Sequence, residues 1–313
     1  MRPRKDFVLT IIPTYNRAKL LSEAIESVLA QDYPYKRIVI VNDGSTDETE
    51  SVCHKFVRNY PGTVLDRQKP NGGCAGARND GLNSISEDIG YVCFLDDDDR
   101  LLPGKFSREV ALLEKNPKAD FSYADSVIRD EETQRDKLQK VSGASRHEDF
   151  AIEHFLTNEA KSAAILYRVD VVKVRRFRED LRYNEDSEFL QRIAIECEGV
   201  YSPEPSCWVR WHAGSKSRNL IEINKAILQS NLDIISSYPS FYHCYKILID
   251  HRIKKIKNDL FIELLLVGRM NEARRYQTNR LKKYSIPQLR FYYRLKASFR
   301  TLVGYLINKE SMQ

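Results

Sequence analysis

The sequence contains no Cys-x-x-Cys pair, no Gly-x-Gly-x-x-Gly and no Gly-Lys-Ser/Thr loop. The last two absences exclude the dinucleotide fingerprint and the P-loop as routes to phosphate binding. The six cysteines (Cys53, Cys74, Cys93, Cys197, Cys207, Cys244) are scattered, several of them inside apolar runs. That reads as buried free thiols in a reducing cytosol, not as a disulfide framework. No apolar run is long enough to span a bilayer. The best, Phe261 to Val267, is far too short and carries Glu263. Met1 to Asp6 leads straight into a strand, with no apolar core of a secretion signal. A cytoplasmic protein, peripheral at most to the inner face of the membrane, is expected.

What is present is an ordinary globular composition. The 313 residues are 42% hydrophobic and 30% charged, with a formal net charge of +6. That length builds one large domain, or a medium domain with an appendage. The charge permits an anionic partner without naming one, and nothing in the pattern calls for nucleic acid.

The most informative stretch is Asp96-Asp97-Asp98-Asp99. A run of acids is ordinarily a solvated loop. This one follows Tyr91-Val92-Cys93-Phe94-Leu95, a short aromatic and β-branched run that reads as a buried strand. After it comes Arg100-Leu101-Leu102-Pro103, with the proline placed to open a helix. Carboxylates crowded at the mouth of a buried strand are reconciled most simply by a divalent cation. Mg²⁺ or Mn²⁺ takes oxygen ligands and keeps room for substrate phosphates.

Upstream, strands are expected over Phe7 to Ile12, Arg37 to Val41 and Thr63 to Leu65, with amphipathic helices between them. Strand-helix alternation at this spacing predicts right-handed βαβ units and a parallel sheet, with ligands at the carboxyl ends of the strands. Pro13 to Asn16, Asp43 to Asp47 and Asp96 to Asp99 all fall at such ends. Gly72-Gly73 precedes a helix and reads either as a plain turn or as N–H groups facing a phosphate.

Ile12-Pro13-Thr14-Tyr15-Asn16-Arg17, Val41-Asn42-Asp43-Gly44-Ser45-Thr46-Asp47, Ala77-Arg78-Asn79-Asp80-Gly81 and Leu95-Asp96-Asp97-Asp98-Asp99 resemble successive motifs of family 2 glycosyltransferases. The resemblance is close over the first third and looser to about Ser217. It implies an α/β GT-A, Rossmann-like nucleotide-binding sheet over residues 1–217, and inverting transfer from a nucleotide sugar, UDP-linked as the first choice. It further implies that Pro13, Tyr15 and Asp43 surround the nucleotide base and that Arg78 lies near the nucleotide. Asp97 would meet the ribose, with Asp96 beside it closing the strand, and Asp98 would hold Mn²⁺ or Mg²⁺. Val174 to Leu181 occupies the place of the family's Gly-Gly-Phe-Asp-Glu-x-Leu segment, with arginines replacing the glycines. Asn184-Glu185-Asp186 by itself reads as helix-capping acids. By the resemblance, Asp186 is the general base and Glu185 its supporting neighbour. Trp208-Val209-Arg210-Trp211-His212 resembles the closing Arg-x-His segment. There His212 would reach the metal or pyrophosphate, and the two tryptophans suit a sugar or nucleotide wall. The other histidines show no ligand spacing.

Residues 218–313 change texture. A mostly helical, basic region carries Arg252, Lys254, Lys255, Lys257, Arg274, Arg275, Arg280, Lys282 and Lys283. It ends in interleaved aromatics and bases such as Phe291, Tyr292, Tyr293 and Arg294. This suits an anionic membrane surface and lipid-linked or other glycan acceptors, or else a helical lid or a contact between copies in a homo-oligomer. A nucleotidyltransferase and a non-catalytic nucleotide-sugar-binding scaffold are the rival readings.

Overall fold

The computed structural model describes residues 6–141, 147–212 and 219–277. The chain divides at residue 215 into two compact units. The first begins with β1 (Phe7–Thr14), α1 (Ala18–Leu29), β2 (Lys36–Asn42), α2 (Thr49–Asn59), β3 (Val64–Gln68), α3 (Gly73–Leu82) and β4 (Ile89–Phe94). Apolar runs such as Ile38-Val39-Ile40-Val41 are buried on both faces, as a parallel sheet sandwiched by helices requires. Strand β1 pairs in parallel with β2 and β4, and β2 with β3. Gly81 of α3 lies so close to β1 that a Cβ there would stand 2.3 Å from Ile11. Only glycine lets that helix settle onto the strand.

The second part of this unit comprises β5 (Arg100–Leu101), α4 (Lys105–Lys115), β6 (Phe121–Asp130), β7 (Arg135–Gln139), α5 (His147–Thr157), β8 (Ile165–Arg168), α6 (Val169–Lys173), α7 (Glu185–Glu196) and β9 (Gly199–Trp211). The sheet order is β3-β2-β1-β4-β8-β6-β9-β5, with β7 on β6. Strand β8 runs antiparallel to β4 and β6, so the sheet is mixed where the alternation predicted it parallel. One local expectation is also corrected. Pro103 does not open α4, which starts after Gly104 in the left-handed region (φ 75°), while Arg100–Leu101 pairs with β9. Strand β9 carries Pro203 and Pro205, which disguise it in the sequence. Both fall where its pairing with β6 shifts register, between Ala124 and Ser126.

Under this half lies a closed polar network. The Lys105 Nζ donates to both carboxylate oxygens of Glu109 at 2.9 and 2.7 Å, with Ser122 and Ser206 alongside, and neither charged side chain is exposed.

The second unit contains α8 (Leu220–Ser237), α9 (Pro239–Leu266) and α10 (Met270–Ala273). Helices α8 and α9 pack through Ile227, Leu228, Ile256 and Leu260. No helix among the described residues is long and apolar enough to cross a membrane. Arg280, Lys282, Lys283 and the aromatic tail from Phe291 lie outside the described residues.

Candidate active site

The carboxyl ends of β1, β2 and β4 form one rim. Asp43, just past β2, is buried and accepts from Lys69 Nζ at 2.6 Å, Gly72 N at 2.9 Å and Gly73 N at 2.8 Å. The two glycine amides at the start of α3 are therefore spent on Asp43, which corrects the reading that they face a phosphate. Asn16, itself left-handed at φ 54°, accepts from Thr46 N at 2.7 Å and ties the loop after β1 to the loop after β2. Pro13 is buried opposite Val41 in the β1–β2 ladder. Tyr15 stands on the rim with its ring half exposed.

Each aspartate of the acidic run meets a different partner. Asp96 Oδ1 accepts from Arg78 Nη2 at 2.6 Å, and Asp97 Oδ2 from Thr14 Oγ1 at 2.7 Å. Asp98 Oδ2 accepts from Arg17 Nη1 at 2.8 Å and lies 3.2 Å from His212 Nε2. Asp99 Oδ1 accepts from the Arg210 amide at 3.0 Å. Burial, reinforced by the neighbouring Asp98 charge, pushes the Asp97 carboxyl up to about 7 and that of Asp99 well above the usual range. Carboxylate oxygens of Asp96, Asp98 and Asp99 all lie within 4.8 Å of one another. Hard oxygen donors this close, with charge they cannot comfortably carry alone, fit Mg²⁺ or Mn²⁺. His212, brought to the same oxygen of Asp98, suits Mn²⁺ better than Mg²⁺.

The end of β9 fastens this run. The Arg210 guanidinium donates to the Asp98 carbonyl at 3.1 Å, to Glu131 at 2.5 Å and to Glu23 at 2.6 Å. Trp208 is stacked by Arg210 at 5.0 Å and by Arg100 at 4.2 Å. Its ring is thus occupied by two guanidinium groups, not offered as a wall for sugar or base. Trp211 is the more exposed of the pair. Arg17, Thr14 and Lys69 were not singled out from the sequence. For Arg17 and Thr14 the signal was present, since both sit inside the quoted Pro13 to Arg17 motif.

The second acidic site joins the first through one side chain. Arg78, 1% exposed, donates from Nη1 to Glu185 Oε1 at 2.8 Å while Nη2 holds Asp96. Arg78, expected near the nucleotide, is a buried brace between two carboxylates, Asp96 and Glu185, that lie far apart in the sequence. Its plane faces the Phe177 ring at 5.3 Å. Phe177 is itself clamped by Asn79, whose side-chain amide donates to Phe177 O at 3.0 Å and accepts from Phe177 N at 2.8 Å. Arg175 and Arg176, standing where the family has glycines, adopt negative φ, so no glycine is needed there. Burial raises the Glu185 carboxyl despite Arg78. Asp186 is part-exposed in the first turn of α7, its Oδ1 accepting from Ser187 N at 2.8 Å.

Comparison with known proteins places the chain in a family. The model described as glycosyl transferase family 2 matches residues 10–178. The chain is 29% identical over 188 residues to the minor teichoic acid biosynthesis protein GgaB of Bacillus subtilis, covering 58% of this chain and 20% of that protein. It is 26% identical over 212 residues to the poly-beta-1,6-N-acetyl-D-glucosamine synthase of Staphylococcus epidermidis, covering 64% and 48%. The chain thus spans less than half the length of these curated relatives. Among solved structures it resembles S. aureus TarS 1-349 in complex with UDP-GlcNAc, with TM-score 0.61, 16% identity, and 94% and 91% of the two chains covered. The mannosyltransferase of Pyrobaculum calidifontis in complex with GDP-Man and Mn²⁺ gives TM-score 0.59 and 18% identity, with 95% and 85% covered. At such identities the likeness establishes the GT-A fold and nothing finer.

Proposed function

The chain belongs to glycosyltransferase family 2, and on that premise we propose that it moves a sugar from a nucleoside-diphosphate sugar to a hydroxyl, with inversion at the anomeric carbon. The observation that carries this reading is the Arg78 brace. It draws the end of β4, where a diphosphate and its cation would sit, to the turn of α7 that carries Asp186. A single displacement needs a base on the face opposite the leaving group, within hydrogen-bond reach of the acceptor hydroxyl. Asp186, part-exposed beside the buried Glu185, has the access for that role.

Asp98, with Asp96, Asp99 and His212 around it, would hold a Mn²⁺ or Mg²⁺ ion. When bound, that ion supplies charge neutralisation for the departing diphosphate. Pro13, Tyr15 and Asp43 line the place for the base, and Asp97 with Thr14 the place for the ribose. UDP-sugars are the first donors to try, with GDP-sugars second. Because GgaB is named for teichoic acid synthesis and the S. epidermidis relative for a surface polymer of N-acetylglucosamine, the acceptor class proposed is a glycan or lipid-linked precursor of a surface polysaccharide. The bases Arg252, Lys254, Lys255 and Lys257 on α9 support peripheral contact with an anionic membrane at its inner face.

The test is a thermal-shift panel of UDP-, GDP- and dTDP-sugars with and without Mn²⁺, since a ligand bound only by the folded state raises its stability by mass action. A metal-dependent shift followed by release of free nucleoside diphosphate supports transfer. Release of pyrophosphate would instead mark a nucleotidyltransferase. No shift with any donor would overturn the reading.

A further inference from the structure

Helices α5 and α7 meet through a ladder of uncharged polar contacts. Gln191 Nε2 donates to the Ala151 carbonyl at 2.9 Å. His154 Nε2 lies 3.2 Å from the Ser187 carbonyl and 3.0 Å from its Oγ. Asn158 Nδ2 donates to Asn184 Oδ1 at 3.0 Å. Ala151 and His154 on α5 are three residues apart and Ser187 and Gln191 on α7 four, so the first two contacts follow one face of each helix, and Asn158 and Asn184, just beyond the two helix ends, continue the line. The ladder ends on Asn184, the residue that caps α7 in the left-handed region at φ 65°. Glu185 and Asp186 come immediately next.

His154 is the middle rung and the least expected one. It is 3% exposed and stacked on Phe150, with ring centroids 5.9 Å apart. Nε2 bonds Ser187 either by donating to its carbonyl or by accepting from its hydroxyl. In either tautomer Nδ1 is buried and has no hydrogen-bond partner. A side chain needed only to fill the space between two helices would be better apolar, because an orphaned polar atom is a standing penalty. Burial also pushes this imidazole down to about 4, so the ring is neutral at neutral pH.

We propose that His154 is a positioning residue for Asp186, fixing the first turn of α7 by its hydrogen bond to Ser187 so that the carboxylate stands in line with the acceptor. The inference rests on the reading of Asp186 as the base. Ser187 provides the link, since its carbonyl and hydroxyl face the imidazole while its amide donates to Asp186. Neutrality belongs to the function. A lysine or arginine at this place would hold the turn equally well but would lower the basicity of the carboxylate beside it.

The experiment compares His154→Leu, His154→Gln, Asp186→Asn and the double variant His154→Leu/Asp186→Asn. Turnover is followed as nucleoside-diphosphate release from whichever donor the panel selects, with Mn²⁺. Since a misplacement of 1 Å costs ~10²-fold, His154→Leu is expected to lower kcat roughly 30-fold while leaving the donor KM within about twofold. In His154→Gln the amide nitrogen reaches the place of Nε2, and kcat should return to within about threefold of the parent. In the Asp186→Asn background the leucine should have no further effect, because the group it positions is gone. Parental kcat in His154→Leu, a raised KM at unchanged kcat, or the same 30-fold loss on top of Asp186→Asn would each overturn the inference. If circular dichroism shows His154→Leu unfolded, His154→Asn, whose shorter amide does not reach Ser187, replaces it in the same comparison. An unimpaired Asp186→Asn would instead overturn the base assignment itself, which separates the two failures.

Discussion

The two halves of the site are held by different chemistry. On the donor side every buried or half-buried acid is matched with a cation or an N–H or O–H donor: Asp43 with Lys69, Asp96 with Arg78, Asp98 with Arg17 and Asp97 with Thr14. On the acceptor side, apart from the Arg78–Glu185 pair, the contacts that hold the turn bearing Asp186 against α5 are amide, imidazole and carbonyl groups that carry no net charge. The difference follows from what each half would do in the proposed reaction. Carboxylates that would share a cation with a diphosphate can be held meanwhile by exchangeable positive side chains. A general base clamped by a guanidinium would be a poor base, so its supports must be neutral. Arg78 is the point where the two systems touch, and it takes Glu185, not Asp186, as its partner.

The sharpest way to break this division is Asp186→Asn. If the acceptor half exists to present that carboxylate, turnover should fall by about 10³–10⁴-fold, equivalent to ~4–5 kcal/mol of barrier. Donor affinity in the thermal-shift assay should stay unchanged. A comparable loss of donor binding would mean that Asp186 belongs to the donor half. Next in size is Arg78→Met, which removes the brace and leaves Asp96 and Glu185 facing each other. Stripping one partner from a buried ion pair costs ~3–5 kcal/mol, and Asp96, more than a third exposed, puts this case near the lower end. The urea midpoint should drop accordingly, and adding Glu185→Gln should restore part of it. If the midpoint is unmoved, the brace is not structural and Arg78 is free to serve the nucleotide.

Much of the donor half was legible in the sequence because its parts are local. The apolar run Tyr91–Leu95 delivers Asp96–Asp99 directly, and Asp43 follows Ile38–Val41 in the same way. Beyond Glu185 and Asp186, which the resemblance named, the remaining parts of both halves were not legible, for reasons that are equally physical. Strand β9 hides behind Pro203 and Pro205, which only its register shift against β6 can accommodate. The Gly72 and Gly73 amides looked available because nothing local shows that Asp43, 29 and 30 residues earlier, turns back onto them. His154 has no ligand spacing in the chain, since its partner Ser187 lies 33 residues on and offers a backbone carbonyl. Its role arises only when α5 is laid against α7.

The neutral half should also reveal itself through pH. The His154 imidazole is held from an ordinary 6.5 down to about 4 by burial, so the unfolded chain takes up its proton first. Wherever the unfolded state binds more protons, stability rises with pH. The contribution is therefore intact above pH 6.5 and is lost progressively as the pH falls toward 4, by about 2–3 kcal/mol. Denaturation midpoints measured across this window should show that slope in the parent, and His154→Gln should flatten it. An unchanged slope would mean that the imidazole is protonated in the folded state and that the acceptor half is not neutral.

The smallest effect tests the donor half on its own terms. Arg17 is a partly exposed partner of Asp98, and its Nη1 also lies 3.3 Å from His212 Nε2. A part-exposed ion pair of this kind contributes under ~1 kcal/mol to stability, so Arg17→Ala should barely move the denaturation midpoint. Yet its guanidinium occupies the same Asp98 oxygen that a cation would take. Removing a positive charge from a cation site favours the cation, and Mn²⁺ should bind about three- to tenfold more tightly to Arg17→Ala, or ~1 kcal/mol. Titration followed by the loss of the free Mn²⁺ electron paramagnetic resonance signal measures this without any turnover. Weaker Mn²⁺ binding in the variant would mean that Arg17 organises the acidic run for the ion. The positive partners of the donor half would then be supports, as fixed as the polar rungs between α5 and α7.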